Sequence, residues 1–318
     1  MSILAIDLGG TKLATAVFLE KGEMVSEEVI YLEKRKGPEV GLLISSQVSK
    51  ILDIQQAEGN EINSIGISVP GISRVKEARV WAPNIPGWED YPLLEEIMEV
   101  SGTIPVTIDS DRACYILGEV WQGNAQGCND AIFLAVGTGI GAGIYANGAV
   151  LRGAHNISGA IGWMALDKPY HKDYISSGCF EFHASGEGIA NTTRQLLLEK
   201  KDYKGELSMH QRASITAQHV FNAYENHDPL AEKVIEICIE YWGMAVANLV
   251  SLFNPEKIII GGGVFGPGKK FIEGIRLEAG KWAQPISIQQ VSIELSALEG
   301  NAGVYGAGYL ALHRVHNI

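Results

Sequence analysis

The chain has 318 residues, of which 46% are hydrophobic and 19% charged, with a formal net charge of −12. That length fits two domains with a core each, and the acidic balance excludes an ordinary nucleic-acid binder, which must neutralise phosphates with Lys and Arg. Four scattered cysteines (Cys114, Cys128, Cys179 and Cys238) fit a reducing cytoplasm; no signal peptide is expected, because Asp7 interrupts the first apolar run and no basic segment precedes it, and no membrane span, because no run of 18 apolar residues occurs.

Residues 3–9 and 13–20 are apolar runs joined by Gly9-Gly10 and predict a hairpin. Residues 29–32 can add a third strand, and the spacing over 40–57 predicts a helix. A buried strand over 64–69 ends at Pro70-Gly71, and the prolines of 81–88 stiffen a loop. A short strand over 105–108 delivers Asp109-Ser110-Asp111 to a helix over 112–120. Residues 132–146 repeat the opening pattern as strand, Gly-Thr-Gly turn and strand. Residues 151–180 lack a period and read as a functional loop. Helical patterning over 181–223 breaks at 200–207. A long amphipathic helix over 229–253 stops at Asn254-Pro255. A strand over 257–260 feeds Gly261-Gly262-Gly263, a late strand covers 291–295, and a helix over 302–313 closes the chain. This order predicts α/β layers around a central sheet. The expected division is a first domain of residues 1–112, joined by a C-terminal helix 302–318, and a larger second domain of residues 113–301.

The two Gly/Thr turns are the chemical signal. Glycine lets the backbone turn tightly and approach a ligand, and successive exposed N–H groups form a concavity for phosphate. Asp7, at the mouth of the first turn, is suited to carry Mg²⁺, and a carboxylate there would otherwise be costly near a core. Asp111 can act as a general base or simply cap the following helix. Residues 263–270 nearly spell a P-loop, but Lys270 stands where Ser or Thr would bind Mg²⁺. His155, His171, Cys179 and His183 have spacings that fit no standard closed zinc site, so no structural zinc is expected. Trp163 can pack as wall or stack on a sugar face. Tyr241-Trp242 suits a core or a dimer interface better than a ligand site.

Taken jointly, Asp7-Leu-Gly-Gly-Thr-Lys, Gly-Ile-Ser-Val-Pro-Gly at 66–71, Asn-Ile-Pro-Gly-Trp at 84–88, Gly-Thr-Gly-Ile-Gly-Ala-Gly at 137–143 and the 254–263 stretch resemble the ROK family. That group comprises bacterial repressors, open reading frames and sugar kinases within the actin/hexokinase-like superfamily. The resemblance runs from residue 3 to about residue 312. It implies two RNase H-like domains closing over ATP and a sugar, and by analogy a homodimer. It places Asp7, Gly9, Gly10, Thr11 and Lys12 in the first phosphate motif and Gly137, Thr138, Gly139 and Gly141 in the second. Gly261, Gly262 and Gly263 fall on the adenosine side. Asp111 matches the family's catalytic aspartate by its distance to Leu117-Gly118-Glu119. Gly71, Asn84, Ser110 and Glu181 fall on the sugar side, with His155 and Trp163 shaping the pocket.

Departures accompany the match. Ser110 replaces the family's usual Asn. Gly159-Ala160-Ile161-Gly162-Trp163 lacks the Glu and His of Gly-Glu-x-Gly-His, which hold sugar hydroxyls. Of the cysteine-rich zinc loop only Gly178-Cys179-Phe180-Glu181 survives. The resulting expectation is a cytoplasmic, ATP- and Mg²⁺-dependent kinase of a sugar or sugar-like polyol other than standard glucose. A sugar-sensing protein without catalysis is the alternative. A transcriptional repressor is disfavoured, because strand one begins at residue 3 and leaves no room for a DNA-reading helix.

Overall fold

The computed structural model describes residues 1–74, 77–200 and 202–313, and in it the first Gly-turn hairpin is β1 (Ser2–Leu8) against β2 (Lys12–Leu19). β3 (Met24–Tyr31) pairs antiparallel with β2. It starts earlier than expected because its exposed edge residues hide the apolar pattern. Pro38 opens α1 (Pro38–Ala57), whose buried Val40, Ile44 and Val48 recur at helical spacing. β4 (Ile62–Val69) runs parallel to β1. A small hairpin of β5 (Ile72–Arg74) and β6 (Arg79–Trp81) precedes α2 (Leu93–Ser101). β7 (Val106–Ser110) pairs parallel with β4, and α3 (Asp111–Gln122) follows at once.

The second hairpin is β8 (Ala131–Val136) against β9 (Ile140–Ala146), with the short β10 (Ala149–Val150) beside β9. The expected loop of 151–180 holds a 3₁₀ turn at Ile161–Trp163, the one-turn α4 (Tyr174–Ser177) and the start of α5 (Cys179–Ala184). α6 (Gly186–Glu199) and α7 (Ala217–Glu225) come next. In α8 (Pro229–Phe253) the Asp228 side chain accepts from the Leu230 and Ala231 amides at 2.9 and 3.1 Å, so the start is capped as well as opened by proline. Asn254 turns left-handed at its end. α8 is the one helix among the described residues that is long and apolar enough to cross a membrane, but its apolar stripe is core. β11 (Lys257–Gly261), α9 (Ile272–Trp282), the short α10 (Ser287–Gln290), β12 (Ser292–Leu295) and α11 (Ala302–His313) complete the chain.

Two units emerge, residues 1–127 with 150–158 and 297–313, and residues 128–149 with 159–296. Each has a five-stranded sheet of the same plan. The orders are β3-β2-β1-β4-β7 and β10-β9-β8-β11-β12, in each of which the first strand pairs antiparallel with the second and parallel with the fourth. Ile6, Ile65, Ile67 and Trp88 lie in the core of the first unit, and Leu134, Trp242, Val246 and Ile260 in that of the second. Tyr241 and Trp242 are thus core residues.

The boundary expected near residue 112 is corrected. α3 packs on α11 inside the first unit, where a Cβ on Gly118 or Gly306 would collide with the Ala302 or Cys114 carbonyl. The division therefore falls after Gly127, and residues 150–158 also return to the first unit. Residues 314–318 of the expected closing segment lie outside the described residues. All four cysteines are free thiols.

Candidate active site

In the first unit the parallel register places Asp7 opposite Ser68, and Ser68 opposite Asp109, at the carboxyl ends of three adjacent strands. That end of an open α/β sheet is where ligands bind. The first turn is closed by the Gly9 amide donating to the Lys12 carbonyl at 2.9 Å. Gly10, Thr11 and Lys12 are exposed on it, and Asn84 lies beside Gly10. Gly303, in the first turn of α11, lies so close to the Asp7 carboxylate that a Cβ there would collide with it. Burial pushes the Asp7 carboxyl above the usual carboxylate range, against a Ser68 hydrogen bond and the Lys12 charge.

Asp111 is the first residue of α3. The capping role belongs instead to Ser110, whose Oγ accepts from the Ala113 amide at 3.3 Å. The Asp111 carboxylate accepts from the Arg112 amide at 2.8 Å. Burial lifts its pKa to about 6 against the pull of the Arg112 charge, and the Asp7 charge adds to the rise. Tyr115, one turn along α3, hydrogen-bonds Asp111 and draws the value down. Nothing in the sequence pattern marked Tyr115, since a helical Tyr reads as packing.

Segment 150–158 is tied to the same unit. Arg152 donates from Nε and Nη2 to Asp109 Oδ2 at 3.0 and 2.6 Å, and Asn156 donates to the Ser73 carbonyl at 3.1 Å. His155 is exposed on this segment. Gly71 packs against the Trp81 backbone, where no side chain fits.

In the second unit the Gly137–Gly139 turn is closed by the Gly137 amide donating to the Gly139 carbonyl at 2.9 Å. The Gly186 amide donates to the Gly137 carbonyl at 2.8 Å, which brings the N-terminus of α6 to this turn. A cavity of about 330 Å³ opens here, lined by Gly137, Thr138, Gly186, Gln218, Phe221 and Gly263, among others. The N-termini of α6 and α7 both reach it, and helix N-termini attract anions. Gly263 alone of its triplet lines the cavity. Gly262, at φ 96°, makes the turn against Val136, and Gly261 packs beneath the Phe133 ring. Gly139 and Gly141 lie outside its lining. Gly186, Gln218 and Phe221 escaped the sequence reading because they come from separate helices.

The Glu181 carboxylate is already partly engaged. Its Oε2 accepts from the Ile140 amide at 2.6 Å, just after the glycine turn. Burial raises its pKa, and that hydrogen bond opposes the rise. Trp163 is no packed wall. It ends the Ile161–Trp163 turn with 56% of its surface exposed. His171 and His183 make ring contacts with Tyr174, and among the described residues no group of three or more His, Cys, Asp or Glu side chains could hold a metal ion.

A five-stranded sheet of one plan in each unit, with a glycine turn between its first two strands, defines a two-domain α/β protein of the hexokinase-like class. The ROK family model matches residues 3–314, and the chain belongs to that family. A glucokinase from Halalkalibacterium halodurans is 32% identical over 96% of this chain and 94% of its own. A ROK family glucokinase from Streptomyces griseus, solved with glucose and AMPPNP, superposes with a TM-score of 0.79 at 27% identity, covering 98% of this chain and 100% of that one. A ROK family transcriptional regulator, a homologue of the E. coli MLC protein, superposes with a TM-score of 0.83 at 25% identity, covering 97% of this chain and 77% of that one.

Proposed function

We propose that this protein is an ATP-dependent kinase that phosphorylates a hydroxyl of a sugar or sugar-like polyol. The observation that carries the reading is Asp111, a half-buried carboxylate on the first turn of α3 whose pKa of about 6 suits a base at neutral pH. Asp111 takes the proton of the attacking hydroxyl. Ser110, Asn84, Gly71 and His155 orient the acceptor, together with Trp163 and Glu181. The Gly9–Lys12 and Gly137–Gly141 turns hold phosphates, and the cavity at Gly186, Gln218 and Phe221 takes the nucleoside. The negative charge that Asp7 places beside Asp111 fits a divalent cation, and Asp7 would hold Mg²⁺ through the phosphates. When bound, Mg²⁺ supplies charge neutralisation on the phosphoryl oxygens.

The glucokinase relatives support this reading. A specific observation also favours a sugar sensor without catalysis: the 159–163 segment lacks the Glu and His that the family resemblance implies, and a regulator shares the fold. Coupled ADP release over a panel of sugars and polyols separates the two. The kinase reading requires acceptor-dependent ADP release that disappears in Asp111→Asn. Sugar binding by calorimetry with no such release would establish the sensor.

A further inference from the structure

The second unit holds an aromatic cluster that none of the proposed roles uses. His183, on α5, stacks face to face on Tyr241 of α8 with ring centroids 4.6 Å apart. His183 Nε2 and the Tyr174 hydroxyl are hydrogen-bonded at 2.8 Å. The Tyr241 hydroxyl donates to Asp167 Oδ2 at 3.0 Å, and that oxygen lies 3.9 Å from His183 Nε2. The ring of Tyr174 meets Phe182 edge-on at 5.4 Å. Burial holds the His183 ring below the usual imidazole range, with Asp167 pulling it up and His171 pushing it down. A neutral, half-buried imidazole thus joins α4, α5, α8 and the 164–173 loop.

The same short helix bears Glu181. Two residues apart on a helix are about 200° apart, so Glu181 and His183 leave α5 on opposite sides. On one side His183 locks onto α8, where the Trp242 indole donates to the Ala184 carbonyl at 2.9 Å. On the other side Glu181 accepts from the Ile140 amide, the first residue after the Gly137–Gly139 turn. α5 has only six residues and cannot hold its own orientation.

We infer that His183, with Tyr174 and Tyr241, is a positioning residue for the second phosphate turn, acting through Glu181 on the Ile140 amide. The kinetic consequence rests on the kinase reading above, whereas the structural consequence does not. Loss of the clamp should loosen the turn and weaken the grip on the donor phosphates, with little effect at Asp111.

The test compares full-length wild type with His183→Phe, which keeps the stacking face but loses the hydrogen bond, Tyr174→Phe, and His183→Gln, which restores an acceptor. Amide hydrogen exchange by mass spectrometry reads the peptide containing Ile140. The expected result is exchange about tenfold faster there in the two Phe variants, partial recovery in the Gln variant, and unchanged exchange in β1 and β4. The KM for ATP should rise about tenfold in the Phe variants while kcat changes less, as expected for a binding group displaced without loss of the base. Unchanged protection at Ile140 in both Phe variants would overturn the inference, and so would equal loss of protection throughout the second unit. A wild type that phosphorylates no acceptor sinks the kinase reading, and the exchange measurement then still decides the inference.

Discussion

The negative charge of Asp7, next to the first glycine turn, raises the proton affinity of Asp111, the first residue of α3. Burial lifts both carboxyls above the usual carboxylate range, and at Asp111 the neighbouring charge adds to that rise. The pH profile follows. The base must be ionised, so kcat/KM should rise with pH through about 6 and then level. Stability should respond in the opposite sense. A carboxyl whose folded pKa lies above its unfolded value favours the folded state most when protonated, below about 4, and that contribution is lost as pH rises through about 6. Asp111→Asn, permanently neutral, should therefore be more stable than wild type by roughly 1–3 kcal/mol at pH 8 and equal to it near pH 4. Urea unfolding in metal-free buffer at both pH values checks this, and a variant less stable at pH 8 contradicts it.

Tyr115→Phe removes a side-chain hydrogen bond to Asp111. The phenol stabilises the ionised form, so its removal should move the acidic limb of kcat/KM upward by about one pH unit. Turnover at neutral pH should drop severalfold while the KM for ATP holds. An unshifted limb would mean that Tyr115 only packs.

Much of this organisation is written locally. α8 is legible because Asp228-Pro229 opens it and Asn254-Pro255 closes it, and the two hairpins because glycine separates apolar runs. α2, although Pro92 and Gly102 flank it, is only nine residues long and too short to repeat a clear helical period, and α9 carries no comparable punctuation. α9 begins with a 3₁₀ stretch at Pro267–Phe271 in place of a capping residue. Within the candidate site, Asp7 and Asp111 stand at strand ends that the sequence marks. The α6 and α7 contributions to the cavity, and the commitment of Glu181 to Ile140, exist only once distant segments meet. The return of residues 150–158 to the first unit is of the same kind, since it rests on Arg152 reaching Asp109.

That reach sets a further expectation. The Asp109 side chain is 7% exposed and the Arg152 side chain 18%. Arg152→Ala leaves a buried carboxylate without its countercharge and should cost about 3–5 kcal/mol. Adding Asp109→Asn should recover much of this, because the stranded charge is then removed. Denaturant unfolding of both singles and the double variant measures the coupling. Additive losses would show that the ion pair does not hold the segment.

The acceptor site is tested at the surface. Trp163 is exposed, so replacing it should change stability by less than about 0.5 kcal/mol, and any kinetic change then reports on ligand contacts. Ala160 and Trp163 stand where two hydroxyl-holding side chains occur in the family pattern. Each missing hydrogen bond to an uncharged group costs about 0.5–1.5 kcal/mol, so the pair should weaken glucose binding by about fivefold to more than a hundredfold. The indole also offers a broad apolar face to a ring or substituent that His would not. Ala160→Glu with Trp163→His should therefore lower the KM for glucose, while the wild type should prefer an acceptor with an apolar face. Efficient glucose phosphorylation by the wild type, with a submillimolar KM, would show that the exposed Trp163 does not select against glucose.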